Sequence, residues 1–141
     1  MKILIRFFFK TVRAILGPVL LILDKLTSPK GVVRLARDQQ RLDLVTREMA
    51  LYQYQTCPFC IKTRRAIKRL ALTIETRDAQ RKGENRQQLL EGGGQIKVPC
   101  LKVMDEYGTP IWLYESNDII SYLQDLADQQ APAAACATWQ P

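Results

Sequence analysis

Two cysteines separated by two residues, Cys57 and Cys60, have the residue types and spacing best suited to chemistry in this 141-residue chain. A pair at this spacing can hold a metal ion, form a structural disulfide or exchange electrons with other thiols. The chain has four cysteines and no histidine, which removes mixed Cys/His zinc sites, Cys–His nucleophile pairs and Ser–His–Asp triads. A four-ligand site would need both Cys100 and Cys136, so no metal site is predicted and a cluster is the weaker alternative.

The surroundings of the stretch TCPFC assign the two cysteines different roles. Cys57 ends a loop and a helix starts at Pro58, so free backbone N–H groups converge on the Cys57 sulfur. Because a thiolate attacks a disulfide and a thiol does not, this position favours Cys57 as the nucleophile. Cys60 lies one turn along in a more buried position. It can attack a mixed disulfide on Cys57 and release the product.

Two further motifs lie next to predicted strands. KVPC, residues 97–100, opens the third strand with Pro99, which suits a cis peptide bond or an ordinary strand start. A cis bond would turn the backbone of Val98 toward Cys57, where an extended peptide could pair with it. In YESND, residues 114–118, Ser116 is placed as the N-cap of the last helix. Together with Glu115 it could hold the carboxylate and the amine of an amino-acid head group, and the alternative is a plain helix cap.

Apolar periodicity predicts an α/β domain over residues 49–126, with the element order β-α-β-α-β-β-α. One crossover helix joins two parallel strands, and a hairpin completes the sheet. The predicted strands cover residues 49–54, 72–78, 98–104 and 111–114, and the predicted helices cover residues 58–72, 84–91 and 116–126.

The N-terminal residues 1–26 predict a hydrophobic, amphipathic helix that lies in a membrane interface. The cations Lys2, Arg6, Lys10 and Arg13 fall on one narrow stripe of this helix, as expected near anionic headgroups. The alternatives are a signal peptide and a helix that packs on its own domain or on a partner. Residues 27–48 are predicted to be a partly helical linker, and residues 127–141 a disordered tail.

The charge is unevenly distributed, with a net charge of +7 for the chain and ten Lys/Arg against four Asp/Glu in residues 1–48. The rest of the chain is nearly neutral, so a nucleic-acid partner is not predicted.

CPFC, KVPCL and LYESNDIISYL, in this order and spacing, resemble the glutaredoxin family and the N-terminal domain of glutathione transferases. The resemblance implies a thioredoxin-like fold with glutathione as co-substrate. Cys57 would form the mixed disulfide with glutathione and Cys60 would resolve it. Pro99 would be cis, and the ligand would be held by Lys97, Val98, Pro99, Glu115 and Ser116.

Three departures from these families are visible. Tyr54 stands where many glutaredoxins have lysine, and Glu115-Ser116 replaces the Gly-Gly pair that glutaredoxins have before the last helix. Only about 15 residues follow the predicted last helix, so we expect no all-helical second domain and no conjugating activity.

The function expected from sequence is therefore a glutathione-dependent thiol–disulfide oxidoreductase. Its substrates would be glutathionylated proteins or protein disulfides near a membrane, on the cytoplasmic side. The alternative is a module that binds glutathione or an iron–sulfur cluster without turnover.

Overall fold

A computed structural model of the chain describes residues 17–19, 21–23 and 25–130. The elements from residue 36 onward are α1 (Ala36–Thr46), β1 (Ala50–Gln53), α2 (Pro58–Arg69), β2 (Glu75–Asp78), α3 (Glu84–Gly93), β3 (Cys100–Met104), β4 (Pro110–Tyr114) and α4 (Ser116–Gln130). They form one four-stranded sheet in the order β2-β1-β3-β4. β1 is parallel to β2 and antiparallel to β3, and β3 is antiparallel to β4. The predicted order and the α/β, thioredoxin-like arrangement are confirmed.

The sheet has a hydrophobic core on each face, because alternate residues of its strands point to opposite sides. On one face Leu51 and Leu101 pack with Ile67 of α2 and Leu123 of α4. On the other face a smaller cluster packs around Leu89 of α3; its other buried members are Ala50, Tyr52, Ala79 and Cys100. The sheet is therefore covered by α2 and α4 on one side and by α3 on the other.

Several helix and strand ends differ from the prediction. α2 ends at Arg69 and not at residue 72, because Leu70 (ψ 0°) and Ala71 (φ 50°) leave the helical region. β2 consequently begins at Glu75. α3 continues two residues past the predicted end, to Gly93, and β3 begins two residues late, at Cys100.

The last helix is longer than predicted. α4 continues to Gln130, and Ala127 within this extension is buried. The prediction of disorder from residue 127 is therefore wrong for residues 127–130, because an apolar contact continues the helix and no breaker residue ends it. Residues 131–141 lie outside the described residues.

The segment predicted as a linker packs onto the domain. The α1 residue Leu42 has no exposed surface and belongs to the core next to α4. Val32 donates a backbone hydrogen bond to the Arg69 carbonyl over 2.9 Å, and the Gln39 amide donates to the Ala71 carbonyl over 2.8 Å. These contacts hold residues 32–46 against the connection between α2 and β2. The division of the chain into a linker and a domain stays a prediction.

Residues 17–19, 21–23 and 25–26 are helical. Most of the predicted membrane-associating helix, residues 1–16, lies outside the described residues. Within the part of the chain that the structure describes, no helix combines the length and the apolar character needed to cross a membrane.

Candidate functional site

The turn between β1 and α2 places Cys57 at the first turn of a helix. The Cys57 amide donates to the Tyr54 carbonyl over 3.3 Å, which closes the turn. Cys57 is the N-cap residue of α2, with extended backbone angles, and Pro58 follows in the first helical turn. The Cys57 carbonyl accepts the first helical hydrogen bond, from the Ile61 amide, over 2.9 Å. The free N–H groups of the first turn are therefore at the Cys57 end, as predicted.

Cys57 and Cys60 differ in exposure. Cys57 is half-buried, whereas Cys60 is fully buried. The pKa of the Cys60 thiol is raised to about 12, chiefly by burial and to a smaller extent by the neighbouring Cys57, although the Tyr54 N–H donates to the sulfur and opposes the rise. This amide nitrogen lies 3.5 Å from the Cys60 sulfur. Cys60 is thus held as a thiol at neutral pH, behind a cysteine that solvent can reach.

Side chains of α2 hold the turn between β1 and α2 in place. The Arg64 guanidinium donates to the Gln53 side-chain oxygen over 2.6 Å and to the Gln55 carbonyl over 3.2 Å. Lys62 donates to the Asn117 side chain of α4 over 2.6 Å. The sequence did not predict these contacts, because each partner lies in a different element or loop, distant along the chain.

Strand pairing brings the other two motifs to the same edge of the sheet as the end of β1. Tyr52 of β1 is paired with Cys100 of β3, and Cys100 with Tyr114 of β4, both antiparallel. The residues just after β1, just before β3 and just after β4 therefore share one edge. The peptide bond between Val98 and Pro99 is cis, as the resemblance implies.

Lys97 and Glu115 form an ion pair across this edge. Both side chains are more than half exposed, at 51% and 61%. Glu115 has a left-handed backbone (φ 66°), which is uncommon for a residue with a side chain. The turn into α4 therefore projects a carboxylate that the structure pairs with a cation.

The N-cap assignment of Ser116 is wrong. Ser116 is the first residue of α4, and the Glu115 carbonyl accepts the bond from the Ile119 amide over 3.1 Å. Glu115 thus stands one position before the helix, because its left-handed backbone turns the chain at that point. Ser116 is buried, with 7% of its surface exposed, and lies at the helix start where backbone N–H groups are free.

Tyr114 supports the connection that leads to Lys97 and Val98. Its hydroxyl lies 2.9 Å from the Gly93 carbonyl oxygen and 3.3 Å from the Gln95 carbonyl oxygen, and donates to them. Burial and, to a smaller extent, the nearby Cys100 together raise the pKa of Tyr114 to about 12. The pKa of the Cys100 thiol is raised to about 11, because burial outweighs the lowering effect of its hydrogen bond with Tyr114. Nothing in the sequence marked Tyr114 as a support.

The structure thus brings the predicted site residues to one edge of the sheet. Among the residues that it describes there is no group of three or more His, Cys, Asp or Glu side chains that could hold a metal ion.

Comparison with known proteins agrees with this geometry. The family described as glutathione S-transferase, N-terminal domain, matches residues 51–131. That range runs from β1 through α4, is more than half of the chain and contains all three motifs. A search of curated proteins found no match. The chain therefore belongs to the glutathione S-transferase N-terminal domain family.

Proposed function

We propose that the protein is a glutathione-dependent thiol–disulfide oxidoreductase of the glutaredoxin type. The observation that carries the proposal is the contrast between its two cysteines: Cys57 is half-buried at the start of α2, and Cys60 is fully buried one turn behind it. Metal binding or a static crosslink would not need this asymmetry. Thiol exchange needs one accessible nucleophile and one protected resolving thiol.

Reduction of a glutathionylated protein needs Cys57 alone. Its thiolate attacks the glutathione sulfur of the mixed disulfide, a bond forms between Cys57 and glutathione, and the substrate leaves as a thiolate that takes up a proton. A second glutathione thiolate then attacks the glutathione sulfur bound to Cys57. This yields oxidised glutathione and the starting Cys57 thiolate, so one free glutathione is consumed for each protein thiol released, and the other half of the oxidised glutathione comes from the substrate's mixed disulfide.

Reduction of a protein disulfide uses Cys60 as well. Cys57 attacks one substrate sulfur, and Cys60 then attacks the Cys57 sulfur, which releases the substrate dithiol and leaves a Cys57–Cys60 disulfide. Two glutathione molecules reduce that disulfide. Cys57 is one of the causes that raise the pKa of Cys60, and its charge and thiol hydrogen bond disappear in the mixed disulfide. The smaller contribution of Cys57 to the raised pKa is therefore absent at the stage where Cys60 reacts, while the larger contribution of burial remains.

The edge that carries Val98, Pro99, Glu115 and Ser116 supports glutathione as the ligand. The backbone of Val98 would pair with the tripeptide, while Glu115 and the start of α4 would hold the amine and carboxylate of its γ-glutamyl group. Lys97 pairs with Glu115 in the free protein. Exposed pairs contribute only about 0–1 kcal/mol, so a ligand amine can replace Lys97 at little cost.

The site of action proposed for this chemistry is the cytoplasmic side of a membrane, reached through residues 1–26. The basic stripe on an apolar segment supports it. Deletion of residues 1–26 removes the whole proposed anchor and leaves every residue of β1 to α4 in place, so we expect the shortened protein to leave the membrane fraction with its thiol chemistry intact. Membrane retention of the shortened protein would contradict the proposed anchor.

Serine substitutions of the cysteines test the chemistry. Cys57→Ser should abolish reduction of both a glutathionylated protein and a protein disulfide. Cys60→Ser should keep the first activity and lose the second, while Cys100→Ala, a buried control, should keep both. Loss of both activities in Cys60→Ser would show the roles to be wrong. A brown, dimeric protein without turnover would instead support the cluster-binding alternative.

A further inference from the structure

A basic cavity of about 260 Å³ lies between α2 and the segment that contains Leu21, Lys25 and Ser28, called the N-terminal segment below. Its described lining residues are Leu21, Lys25, Ser28, Arg64, Arg65 and Lys68. Four of these six carry a positive charge, and none of the described lining residues is acidic. At about 30 Å³ per water molecule in the liquid, the cavity has room for a phosphate group with its ester oxygens.

Neutral groups hold several of these cations in position. Arg65 donates to the Thr27 carbonyl over 2.9 Å and also to the Thr27 hydroxyl, and Lys68 donates to the Ser28 hydroxyl. These contacts orient the Arg65 and Lys68 side chains. Asp24 is next to Lys25 in the sequence, and counting it as a full negative charge still leaves three positive charges.

The segment that contributes Leu21, Lys25 and Ser28 to the cavity also carries exposed apolar side chains. Ile22 is 58% exposed and Leu26 is 77% exposed, and both belong to the segment that lines it. A free phosphate in water would gain nothing from this apolar surface. A phospholipid at a membrane surface presents an anionic phosphate next to apolar chains, and matches both features.

We propose that this cavity binds the phosphate of an anionic phospholipid headgroup. The proposal rests on the membrane association proposed above and not on the thiol chemistry. It also orients the protein, because the N-terminal segment runs alongside α2. A Cβ atom at Gly17 would lie 3.4 Å from the Thr56 methyl group, next to Cys57, and Ser28 contacts Lys68 near the other end of α2. The turn that carries Cys57 would therefore lie beside the membrane surface to which the cavity binds.

The test compares two double variants of the full chain that lose the same charge. Lys25→Gln/Lys68→Gln removes two cations of the cavity. Arg81→Gln/Lys82→Gln removes two exposed cations of the connection between β2 and α3. Binding is measured by co-sedimentation with neutral phosphatidylcholine vesicles and with vesicles that also contain phosphatidylglycerol. Thermal unfolding followed by circular dichroism verifies that both variants are folded.

We expect the cavity variant to bind anionic vesicles roughly 30-fold more weakly than the unmodified chain, because each cation near an anionic surface contributes about a fivefold factor. The control variant should lose less than about threefold, and neutral vesicles should bind both variants alike. Equal losses in the two variants, or no loss in either, would overturn the cavity proposal.

Two other outcomes separate the possible sources of the phosphate and the underlying association. Inorganic phosphate that binds the chain through Lys68, with no preference for anionic over neutral vesicles, would assign the cavity to a free anion and overturn the lipid proposal. Absence of binding to either kind of vesicle would overturn membrane association itself, while the activities of the cysteine variants would be unaffected.

Discussion

Gly93 and Tyr114 make a close contact that a double-mutant cycle can measure. A Cβ atom added at Gly93 would lie 2.1 Å from the Tyr114 hydroxyl oxygen, far inside contact distance. The same hydroxyl donates to the Gly93 and Gln95 carbonyls, where the chain turns toward Lys97. Gly93→Ala must therefore displace Tyr114, and Tyr114→Phe removes the atom that blocks the new methyl group.

The magnitudes follow from these contacts. Overpacking costs about 1–3 kcal/mol, and the overlap with a phenol held by hydrogen bonds places Gly93→Ala near the upper end. Alanine regains up to about 1 kcal/mol of helix propensity, so the expected net loss is about 2 kcal/mol. Tyr114→Phe loses one net hydrogen bond, about 1 kcal/mol. The double variant should lose only about 1 kcal/mol, because the two remaining close contacts, to ring carbons of Trp112 and of residue 114, are both 3.3 Å.

Urea unfolding of the full chain, followed by circular dichroism, measures the four free energies of the cycle. We expect a coupling of about 2 kcal/mol between the two sites, from the difference between the summed single losses and the double loss. Gly83→Ala is the control, because a Cβ there meets nothing within 4 Å. Additivity within about 0.5 kcal/mol would refute the placement of Tyr114 against the end of α3.

Three further predictions concern stability. Leu42→Ala should cost about 2–5 kcal/mol in urea unfolding because its side chain is fully buried, whereas Leu44→Ala on the same helix, 69% exposed, should cost under about 0.5 kcal/mol; equal effects would contradict the packing of α1. Ala71→Gly should raise the unfolding free energy by up to about 1 kcal/mol, since Ala71 has a φ of 50° and glycine adopts this conformation freely; a loss would contradict that geometry. Burial raises the pKa of Cys100 from 9.0 to about 11. The contribution of the protonated Cys100 thiol to the free energy of unfolding is therefore complete below pH 9. It is lost as the pH rises toward 11, because the unfolded chain ionises first. Between pH 9 and pH 11 the free energy of unfolding should therefore decline less in Cys100→Ala than in the unmodified chain, by about 2 kcal/mol at pH 11. Equal declines in the two proteins would refute the raised pKa of Cys100.

The order of elements could be predicted because each element from β1 to α4 carries its own periodicity and its own breaker residues. The end of α2 could not be predicted, because Leu70 and Ala71 are good helix formers and leave the helix only in their tertiary context. The packing of α1 onto the domain also could not be predicted from the sequence. Its face offers few apolar residues, so one fully buried side chain, Leu42, and hydrogen bonds to the α2–β2 connection do what a continuous apolar stripe usually does.

The reactive groups of the site were easier to predict than the groups that hold them. The motifs can be identified in the sequence from Cys57, Pro99 and Glu115, and the pairing register of β1, β3 and β4 places the three motifs together. Arg64 and Tyr114 carry no such mark, because their partners are carbonyl and amide oxygens distant in sequence. Likewise Lys97 belongs to a predicted motif, but its pairing with Glu115 depends on the left-handed backbone before α4. The sequence has no glycine at that position from which such a turn could be predicted.

The sheet register makes the meeting of the three motifs independent of the motif side chains themselves. Antiparallel pairing of β1 with β3 and of β3 with β4 places all three loops at one edge, whichever residues occupy positions 57, 99 and 115. Substitution of Cys57 should therefore remove chemistry and leave geometry, so inactive variants remain valid probes of ligand binding. Substitution of Tyr114 or Arg64 does the opposite: it leaves every reactive group in place and loosens the loops that carry them.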